Sequence, residues 1–493
     1  MNGEFRASRN QVSIFDHCVT NINPRNLLVQ AVAGSGKSTT LFHLVRILKE
    51  RGKLGRAVLL AFNKDIATEL KKKGLPAATF HSLGLAAIYQ YCRRGKLIEP
   101  TIEQYKCADI FDHMDIQEDH KRLYKANVLK LVSLSKNANI DPTTDSAVDQ
   151  IEDLAFRHDV DSEHHEYQDV IAAMYTSNVL MKSNNDIALI DFDDMLYMPV
   201  NRMMSFATYK WCFVDESQDT NLLQREFLRL LRAQHYVFVG DRSQAIYGFR
   251  GADSEAMDLI KDEFDCAELP LSVCYRCPTV VLDMARPYCP SIEARENAPV
   301  GVFKDLGQDY GLDEFVASDV VLCRNIRPLI TLALRMYAEG LKAHLLGRDI
   351  GKGIIKLVDK MKAHSTENLE DNLLAFYTKL SLKTKESEQG VLESLLDKIE
   401  CIQAVIASLE VNTIENLRKK IDSLFSQKGG VTLSTIHKSK GGQWPRVFLL
   451  DENLLPSPYA KQGWQIQQEN NLRYVSYTRA EKELYFIAST QSS

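Results

Sequence analysis

The sequence of 493 residues has no excess of basic residues, because 60 Lys and Arg are balanced by 65 Asp and Glu for a net charge of −5. This excludes a uniformly basic surface that attracts nucleic acid from a distance, so any nucleic-acid site must be local. No run of eighteen apolar residues is present, and we expect no contact with a membrane. The opening residues contain no apolar core of signal-peptide length. We therefore expect a cytoplasmic protein, in a bacterial cytosol or a phage-infected cell.

The ten cysteines are scattered through the chain and form no compact framework of the kind found in small secreted proteins. We expect reduced and mostly buried thiols. A zinc or iron–sulfur site at Cys274-x-x-Cys277 remains an alternative, although the spacing to other cysteines matches no standard site. Internal repeats and low-complexity segments are also missing, and 45% hydrophobic with 25% charged residues is typical of a globular protein. The length predicts about three or four domains.

A glycine-rich stretch near the start of the chain has the spacing of a phosphate-binding loop. It reads AVAGSGKS from Ala31 to Ser38 and lies between an apolar strand and a helical segment. Gly34 and Gly36 leave backbone N–H groups accessible to phosphate oxygens, Lys37 can reach the β- and γ-phosphates, and Ser38 can offer its hydroxyl to Mg²⁺. This motif predicts nucleotide binding and nothing more specific.

Two further polar clusters follow apolar strands. VDESQDT begins at Val214, the last residue of the apolar run Trp211 to Val214. VGDRSQAIYGFRGA begins at Val239, the last residue of the apolar run Tyr236 to Val239. Ligands of open α/β sheets bind at the carboxyl ends of strands, so Asp215, Glu216 and Gln244 are expected there. One of the paired carboxylates can hold Mg²⁺ and the other can orient a water molecule.

The order of strand-like and helix-like segments predicts an α/β protein with parallel sheets in two domains, each interrupted by a helical insertion. The first sheet domain is expected at 1–82 and 206–268, with helices at 83–205. The second is expected at 269–349 and 429–493, with a small helical insertion at 350–428.

The full set of motifs resembles the UvrD/Rep/PcrA family of superfamily 1 DNA helicases, from Gln11 to Arg479. The resemblance rests on the three stretches above and on five others in the order of the family. Two short stretches, AFNK and YRCP, are also similar to F-box DNA helicases and to compact phage relatives. The further motifs are ATFHSLG at 78–84, DFDDML at 191–196, VCYRCP at 273–278, TIHKSKGGQW at 435–444 and NLRYVSYTRA at 471–480.

This resemblance implies two RecA-like domains that bind ATP and Mg²⁺. It implies that Gln11 reads adenine, Tyr275 stacks on the base, and Gln443 lies near the ribose, where much of the family has an acidic residue. Ser38 and Asp215 would hold Mg²⁺, while Glu216 would orient the attacking water. Gln244 would sense the γ-phosphate, and the cations from the second domain would be Arg276 and Arg479. The loop residues expected around the phosphates are Ala33, Gly34, Ser35, Gly36, Lys37, Ser38 and Thr39.

The resemblance also implies a track for single-stranded DNA that is built from stacking aromatic side chains rather than base-edge readers. Phe249 stands where the family commonly has Trp, and Arg250 would link the nucleotide site to this track. The residues expected along it are Phe62, His81, Phe192, Tyr247, Phe249, Arg250 and His437.

The resemblance implies an ATP-dependent single-stranded-DNA translocase and 3′ to 5′ DNA helicase, acting in repair, recombination or replication. Its expected partners are single-stranded DNA, junctions of single and double strands, and a protein needed for processive unwinding. In isolation we expect a monomer. Two alternatives remain: a translocase that strips proteins from DNA with little unwinding, and a nucleic-acid-binding scaffold or motor subunit of a nuclease or recombination complex.

Overall fold

The computed structural model describes most of the chain. The chain divides into two compact units. The first takes the described residues up to Ala31 and those from Gly36 to Ser272, and the second takes Val32–Ser35 and the described residues from Val273 onward. The residues described are 5–61, 64–157, 160, 166–248, 255–381, 389–408, 411, 413–426 and 428–489.

The first unit contains a six-stranded sheet in the order β3-β2-β6-β7-β1-β8, and every neighbouring pair is parallel. A short parallel pair, β4 with β5, lies outside this sheet. The strands are β1 Leu27–Ala31, β2 Ala57–Ala61, β3 Ala77–Thr79, β4 Thr101–Ile102, β5 Leu189–Ile190, β6 Trp211–Val214, β7 His235–Gly240 and β8 Ala267–Leu271.

Both faces of this sheet are buried, as expected for parallel strands whose connections are helices. Along β1, Leu27 and Val29 belong to the hydrophobic cluster on one face, while Leu28 belongs to the cluster on the other. The alternation follows from the opposite directions of successive side chains in a strand. Continuous apolar sequence in β6 and β7 is therefore needed to fill both layers.

The helices of the first unit cover the sheet and also form a separate helical segment. Buried residues between Cys107 and Val179 form a hydrophobic cluster of their own. The helices are α1 Arg9–Thr20, α2 Lys37–Glu50, α3 Lys64–Lys72, α4 Phe80–Gly95, α5 Lys106–Asp112, α6 Glu118–Asn137, α7 Ala147–Arg157, α8 Glu166–Asn185, α9 Asp194–Asn201, α10 Leu222–Leu231 and α11 Ala256–Glu263.

The second unit has its own six-stranded parallel sheet, in the order β11-β16-β15-β12-β14-β13. The short strands β9 and β10 pair with each other. The strands are β9 Val273–Cys274, β10 Glu293–Ala294, β11 Val302–Gly307, β12 Val320–Cys323, β13 Ala343–Leu345, β14 Val431–Thr435, β15 Trp444–Leu450 and β16 Ala480–Ile487.

The helices of the second unit include four between β13 and β14. Their buried residues, such as Leu369, Ile402 and Leu417, belong to the same hydrophobic cluster as Leu433 of β14. The helices are α12 Thr279–Ala285, α13 Ile326–Ala338, α14 Arg348–Lys360, α15 Thr366–Ser381, α16 Gln389–Ser408, α17 Ile414–Ser426, α18 Ile436–Ser439 and α19 Gly463–Tyr477.

The α/β class with two parallel sheets is confirmed, and one boundary differs from expectation. The sequence places the start of the second sheet domain at residue 269, but Leu269 lies in β8 and pairs with Val29 of β1. The division between the units falls after Ser272 instead, because β8 completes the first sheet. Within the described part of the chain, no helix is both long and apolar enough to cross a membrane.

Candidate functional site

Three adjacent strand ends of the first sheet bring the predicted nucleotide-binding motifs together. β7 lies between β6 and β1, with Val214 opposite Phe238 and Gln30 opposite Gly240. Because the strands are parallel, their carboxyl ends share one edge of the sheet. The glycine-rich loop therefore begins beside the carboxylates that follow β6 and the polar turn that follows β7.

The glycine-rich loop has the backbone that phosphate binding requires. Gly34 and Gly36 have φ of +68° and +80°, a region that glycine enters without steric cost. Gly36 is the N-cap of α2 and supplies no side chain there, so the first N–H groups of the helix are not capped by it. Ser35 is buried and donates its hydroxyl to the Val32 carbonyl at 2.8 Å, while Ser38 and Thr39 are exposed.

Lys37 and the carboxylates after β6 form a charged cluster. The Lys37 ammonium lies 3.1 Å from Glu216 Oε1. Burial alone would lower the pKa of Lys37, but Glu216, Asp241 and Asp215 outweigh this and raise it, so the side chain is a cation. Burial and the neighbouring Glu216 raise the pKa of Asp215 to about 6. A bound cation at Asp215 would offset this destabilisation of its charge.

The oxygen donors at this position fit Mg²⁺. The Ser38 hydroxyl hydrogen-bonds Asp215, which acts to lower the pKa of that carboxyl. A hydroxyl and a carboxylate side by side are the hard oxygen ligands that Mg²⁺ takes in nucleotide sites. The metal role of Ser38 and Asp215 stays a prediction that this arrangement supports.

A chain of hydrogen bonds joins the second and third motifs, and it includes a residue that sequence reasoning missed. Gln218 Nε2 donates to Glu216 Oε2 at 2.5 Å, and its Oε1 accepts the Asp241 N–H at 3.0 Å. Gln244 Nε2 in turn donates to Asp241 Oδ2 at 2.7 Å. Gln244 is therefore connected to Glu216 through two buried side chains. The position of Gln218 inside the DESQDT stretch was the available signal.

Gln11 lies beside the glycine-rich loop and is almost fully buried. Its Nε2 donates to Thr40 Oγ1 at 3.0 Å, and its Oε1 accepts the Ser8 N–H at 2.9 Å in a capping box at the start of α1. The amide is thus held in one orientation next to α2. Its contact with adenine stays a prediction.

In the second unit, the predicted nucleotide residues lie near the loop segment Val32–Ser35. The Tyr275 N–H donates to the Gly34 carbonyl at 2.9 Å, and the Tyr275 side chain is 43% exposed. The Tyr474 hydroxyl, which sequence reasoning did not single out, accepts the Ala33 N–H at 2.8 Å. An exposed ring held by its own backbone is suited to stacking on a base.

The two predicted arginines occupy different environments. Arg276 donates from Nε to Gln443 Oε1 at 2.9 Å and from Nη1 to the Thr478 carbonyl at 3.0 Å. Arg479 is only 1% exposed and donates to the carbonyls of Val475 and Gly442 at 2.9 and 3.0 Å. The structure therefore brings Arg276 and Gln443 together, and buries Arg479 against backbone carbonyls.

Two of the predicted DNA-binding residues meet in the first unit. The rings of His81 and Phe192 lie 5.5 Å apart, and Phe192 is 61% exposed. Burial lowers the pKa of His81, so its ring is neutral near pH 7. Tyr247 is partly buried after β7, and His437 is partly buried in α18 of the second unit. Phe62, Phe249 and Arg250 lie outside the described residues.

Comparison with known proteins agrees with this geometry. The UvrD/REP helicase N-terminal domain family matches residues 16–265, and the UvrD-like helicase C-terminal domain family matches residues 342–491. A protein from Staphylococcus aureus named ATP-dependent DNA helicase PcrA is 23% identical over 612 aligned residues, which cover 94% of this chain and 81% of that protein.

A Mycoplasma pneumoniae protein named probable DNA helicase II homolog is 26% identical over 296 residues, which cover 55% of this chain and 41% of that protein. The matched part thus spans less than half of the Mycoplasma relative. The N-terminal family match alone covers half of the present chain, and the residues that carry it include the strand-end cluster described above. The chain belongs to the UvrD/REP helicase family.

Proposed function

We propose that this protein is an ATP-dependent motor that moves along single-stranded DNA from 3′ to 5′ and unwinds duplex ahead of it. Membership of a DNA helicase family supports the ATP-dependent helicase class. The observation that carries the proposal is the cluster of Lys37, Asp215 and Glu216 at adjacent strand ends, joined by hydrogen bonds to Gln244. The direction of movement and the place in repair, recombination or replication rest on the family resemblance.

Hydrolysis in this proposal depends on four side chains of the first unit. Lys37 balances the negative charge of the β- and γ-phosphates, and its ammonium lies 3.1 Å from Glu216 Oε1. Glu216 orients a water molecule for attack and accepts its proton. Ser38 and Asp215 would hold Mg²⁺, which when bound supplies positive charge to the phosphate oxygens.

The second unit supplies the remaining nucleotide contacts in the proposal. Charge spreads over the equatorial phosphate oxygens in the transition state, so an arginine placed against them stabilises it. We take Arg276 as the first candidate, because its guanidinium is partly exposed and is held by Gln443. Arg479 is buried and donates to backbone carbonyls. We assign it two roles, to hold the loop at Gly442 and to add positive charge near the phosphates.

DNA binding in the proposal uses stacking on exposed rings together with polar side chains beside the phosphates. Phe192 and His81 form the described part of this surface in the first unit, and Tyr247 follows the turn that carries Gln244. Gln244, the proposed γ-phosphate sensor, and Tyr247, a proposed DNA contact, are therefore only three residues apart in the chain. Junctions of single and double strands, a partner protein for processive unwinding and a monomeric state in isolation are further parts of the proposal.

The test is ATPase activity with and without single-stranded DNA, followed by unwinding of duplexes that carry either a 3′ or a 5′ tail. We expect strong stimulation by single strands and unwinding only from the 3′ tail. Stimulation combined with displacement of bound protein but no unwinding would favour the protein-stripping alternative. DNA binding without hydrolysis would favour the scaffold, and unwinding only from a 5′ tail would overturn the polarity.

A further inference from the structure

Two fully buried lysines in the helical segment of the first unit have no part in the nucleotide site. Lys106 of α5 donates to Asp194 Oδ2 at 2.8 Å and to the carbonyls of Ser183 and Asp186 at 2.7 and 3.0 Å. Lys136 of α6 lies 2.6 Å from Asp191 Oδ2 and 2.8 Å from Asp194 Oδ1. Burying charges is unfavourable unless each is closely paired, so this cluster needs an explanation beyond filling space.

The carboxylates in the cluster flank the exposed ring of Phe192. The carboxylates of Asp191 and Asp194 each accept the backbone N–H of the other residue. The Asp194 N–H donates to Asp191 Oδ1 at 2.8 Å, and the Asp191 N–H donates to Asp194 Oδ2 at 3.1 Å. Asp193 is held separately, because its Oδ2 accepts the Ser133 hydroxyl at 2.6 Å. Three of the four residues 191–194 are thus anchored inward, while Phe192 is 61% exposed beside His81.

The end of α6 also connects this turn to the segment that follows β6. Asn137, next to Lys136, accepts a hydrogen bond at 2.7 Å from Asn221, which is the N-cap of α10 directly after the DESQDT stretch. The cluster therefore holds Phe192 at a defined place relative to the first sheet. Apolar side chains could fill the volume of the two lysines, but they could not bind the two carboxylates that fix the turn.

We propose that Lys106 and Lys136 are positioning residues that hold the turn at residues 191–194 so that Phe192 presents a preorganised ring to single-stranded DNA. The inference rests on the proposed function, because it takes Phe192 as part of the DNA-binding surface. Because the Phe192 ring is fixed before DNA binds, less conformational entropy is lost when a base stacks on it.

The experiment measures the DNA concentration that gives half-maximal ATPase stimulation, using a thymidine oligonucleotide. Lys136→Met, Lys106→Met and Phe192→Ala are compared with each other and with the Lys136→Met/Phe192→Ala double variant. Lys125→Met is the matched control, because Lys125 lies on the same helix and pairs with Asp112 at the surface. Lys136→Arg tests rescue by a cation of different shape.

We expect Lys136→Met, Lys106→Met and Phe192→Ala each to raise that concentration by about fivefold or more, as removal of a stacking contact does. The KM for ATP of the lysine variants should stay near that of the parent, and Lys136→Arg should recover part of the loss. In the double variant the two effects should not multiply, because both act through one ring.

Multiplying effects, or lysine variants that raise the KM for ATP as much as the DNA concentration, would overturn the inference. So would a Phe192→Ala variant with normal DNA stimulation. If Lys136→Met does not fold, Lys136→Met combined with Asp191→Asn removes one charge of each sign and leaves the pair of Lys106 with Asp194 intact, and the same comparison applies. Failure of the proposed function is distinct, since it appears as a parent protein that single-stranded DNA does not stimulate.

Discussion

Asp215 and Glu216 are adjacent in the chain, yet their surroundings assign them different chemistry. Asp215 is buried beside Ser38, and its pKa is raised to about 6. A bound cation would stabilise its charged form, as expected of a metal ligand. Glu216 has positive φ, a contact with Lys37 and a hydrogen bond from Gln218, so its carboxylate is directed by two partners. These different surroundings support the proposed roles of Asp215 as a metal ligand and Glu216 as the base.

The first prediction concerns Glu216→Gln, which keeps the shape of the side chain and removes its ability to accept a proton. We expect kcat for ATP to fall about 10²-fold or more, while nucleotide affinity is retained. Steady-state ATPase and binding of a fluorescent ATP analogue measure the two effects. Glu226→Gln is the control, because Glu226 pairs with Arg229 within α10, away from the strand-end cluster. A Glu216→Gln variant with parental kcat would refute the assignment of the base.

The second prediction concerns Gly34, where both backbone and space exclude a side chain. A Cβ atom there would lie 2.6 Å from Arg276 Cβ and 2.9 Å from Cys274 Sγ, and φ is +68°. Gly340→Ala is a matched control in the second unit, since Gly340 has φ of +77° and no atom within 4 Å of its added Cβ. Both changes carry strain of about 1 to 2 kcal/mol, and Gly34→Ala adds about 1 to 3 kcal/mol from crowding.

Thermal unfolding and ATPase rates of the two glycine variants separate these effects. Gly34→Ala should show the lower Tm and a marked loss of kcat, because the loop carries phosphate contacts. Gly340→Ala should lose some Tm and retain its ATPase activity. Equal behaviour of the two variants would mean that crowding near Arg276 has no consequence.

At the scale of elements, the helices between β13 and β14 are parts of the second unit's core rather than attachments to it. Leu369 of α15 is fully buried in the cluster that contains β14, whereas Leu374 of the same helix is 63% exposed. Such a shared cluster means that the helices cannot be removed without uncovering the sheet. Deletion of these helices would therefore test folding before it tested unwinding.

The third prediction uses this pair of leucines. Leu369→Ala should lower the free energy of unfolding by about 2 to 5 kcal/mol, because it leaves a cavity in a packed core. Leu374→Ala should change it by about 0.5 kcal/mol or less. Urea denaturation followed by circular dichroism gives both values. Similar losses for the two variants would place Leu374 in a buried contact that the structure does not show.

Elements differ in how well sequence predicts them. The strand Trp211–Val214 has the bounds that the sequence predicts, because four consecutive apolar residues between polar segments indicate a buried strand. The expected boundary at residue 269 cuts through β8, because Ala267–Leu271 contains Pro270 and four half-exposed or exposed positions among its five and does not resemble a buried strand. Its membership of the first sheet depends on pairing with β1, which is distant in sequence.

At the scale of the whole molecule, all ten cysteine thiols are buried, as the composition led us to expect. Burial raises the pKa of Cys18, Cys107 and Cys266 to about 12, while hydrogen bonds between Cys274 and Cys277 lower the pKa of Cys274 to about 7. Thiolates are the reactive form, so most of these side chains are both hidden and unreactive near neutral pH.

The fourth prediction is that the native protein reacts slowly with a chromogenic disulfide reagent, with no more than about two of its thiols reacting quickly. The denatured protein should react at all ten. Cys274 is the expected first site because its hydrogen bonds with Cys277 lower its pKa to about 7, and Cys274→Ser should remove that phase. Rapid reaction of many thiols in the native state would contradict the burial described here.

The sequence by itself determined the α/β class, the phosphate loop, the strand-end carboxylates and the family, because each depends on short runs of neighbouring residues. Cytoplasmic localisation, the domain bounds and the individual site roles stay predictions. Only the tertiary structure decided that Gln218 joins Glu216 to Asp241, that β8 closes the first sheet, and that Lys106 and Lys136 converge behind Phe192. These arrangements join residues on different elements, and no local pattern records which buried charge will meet which partner.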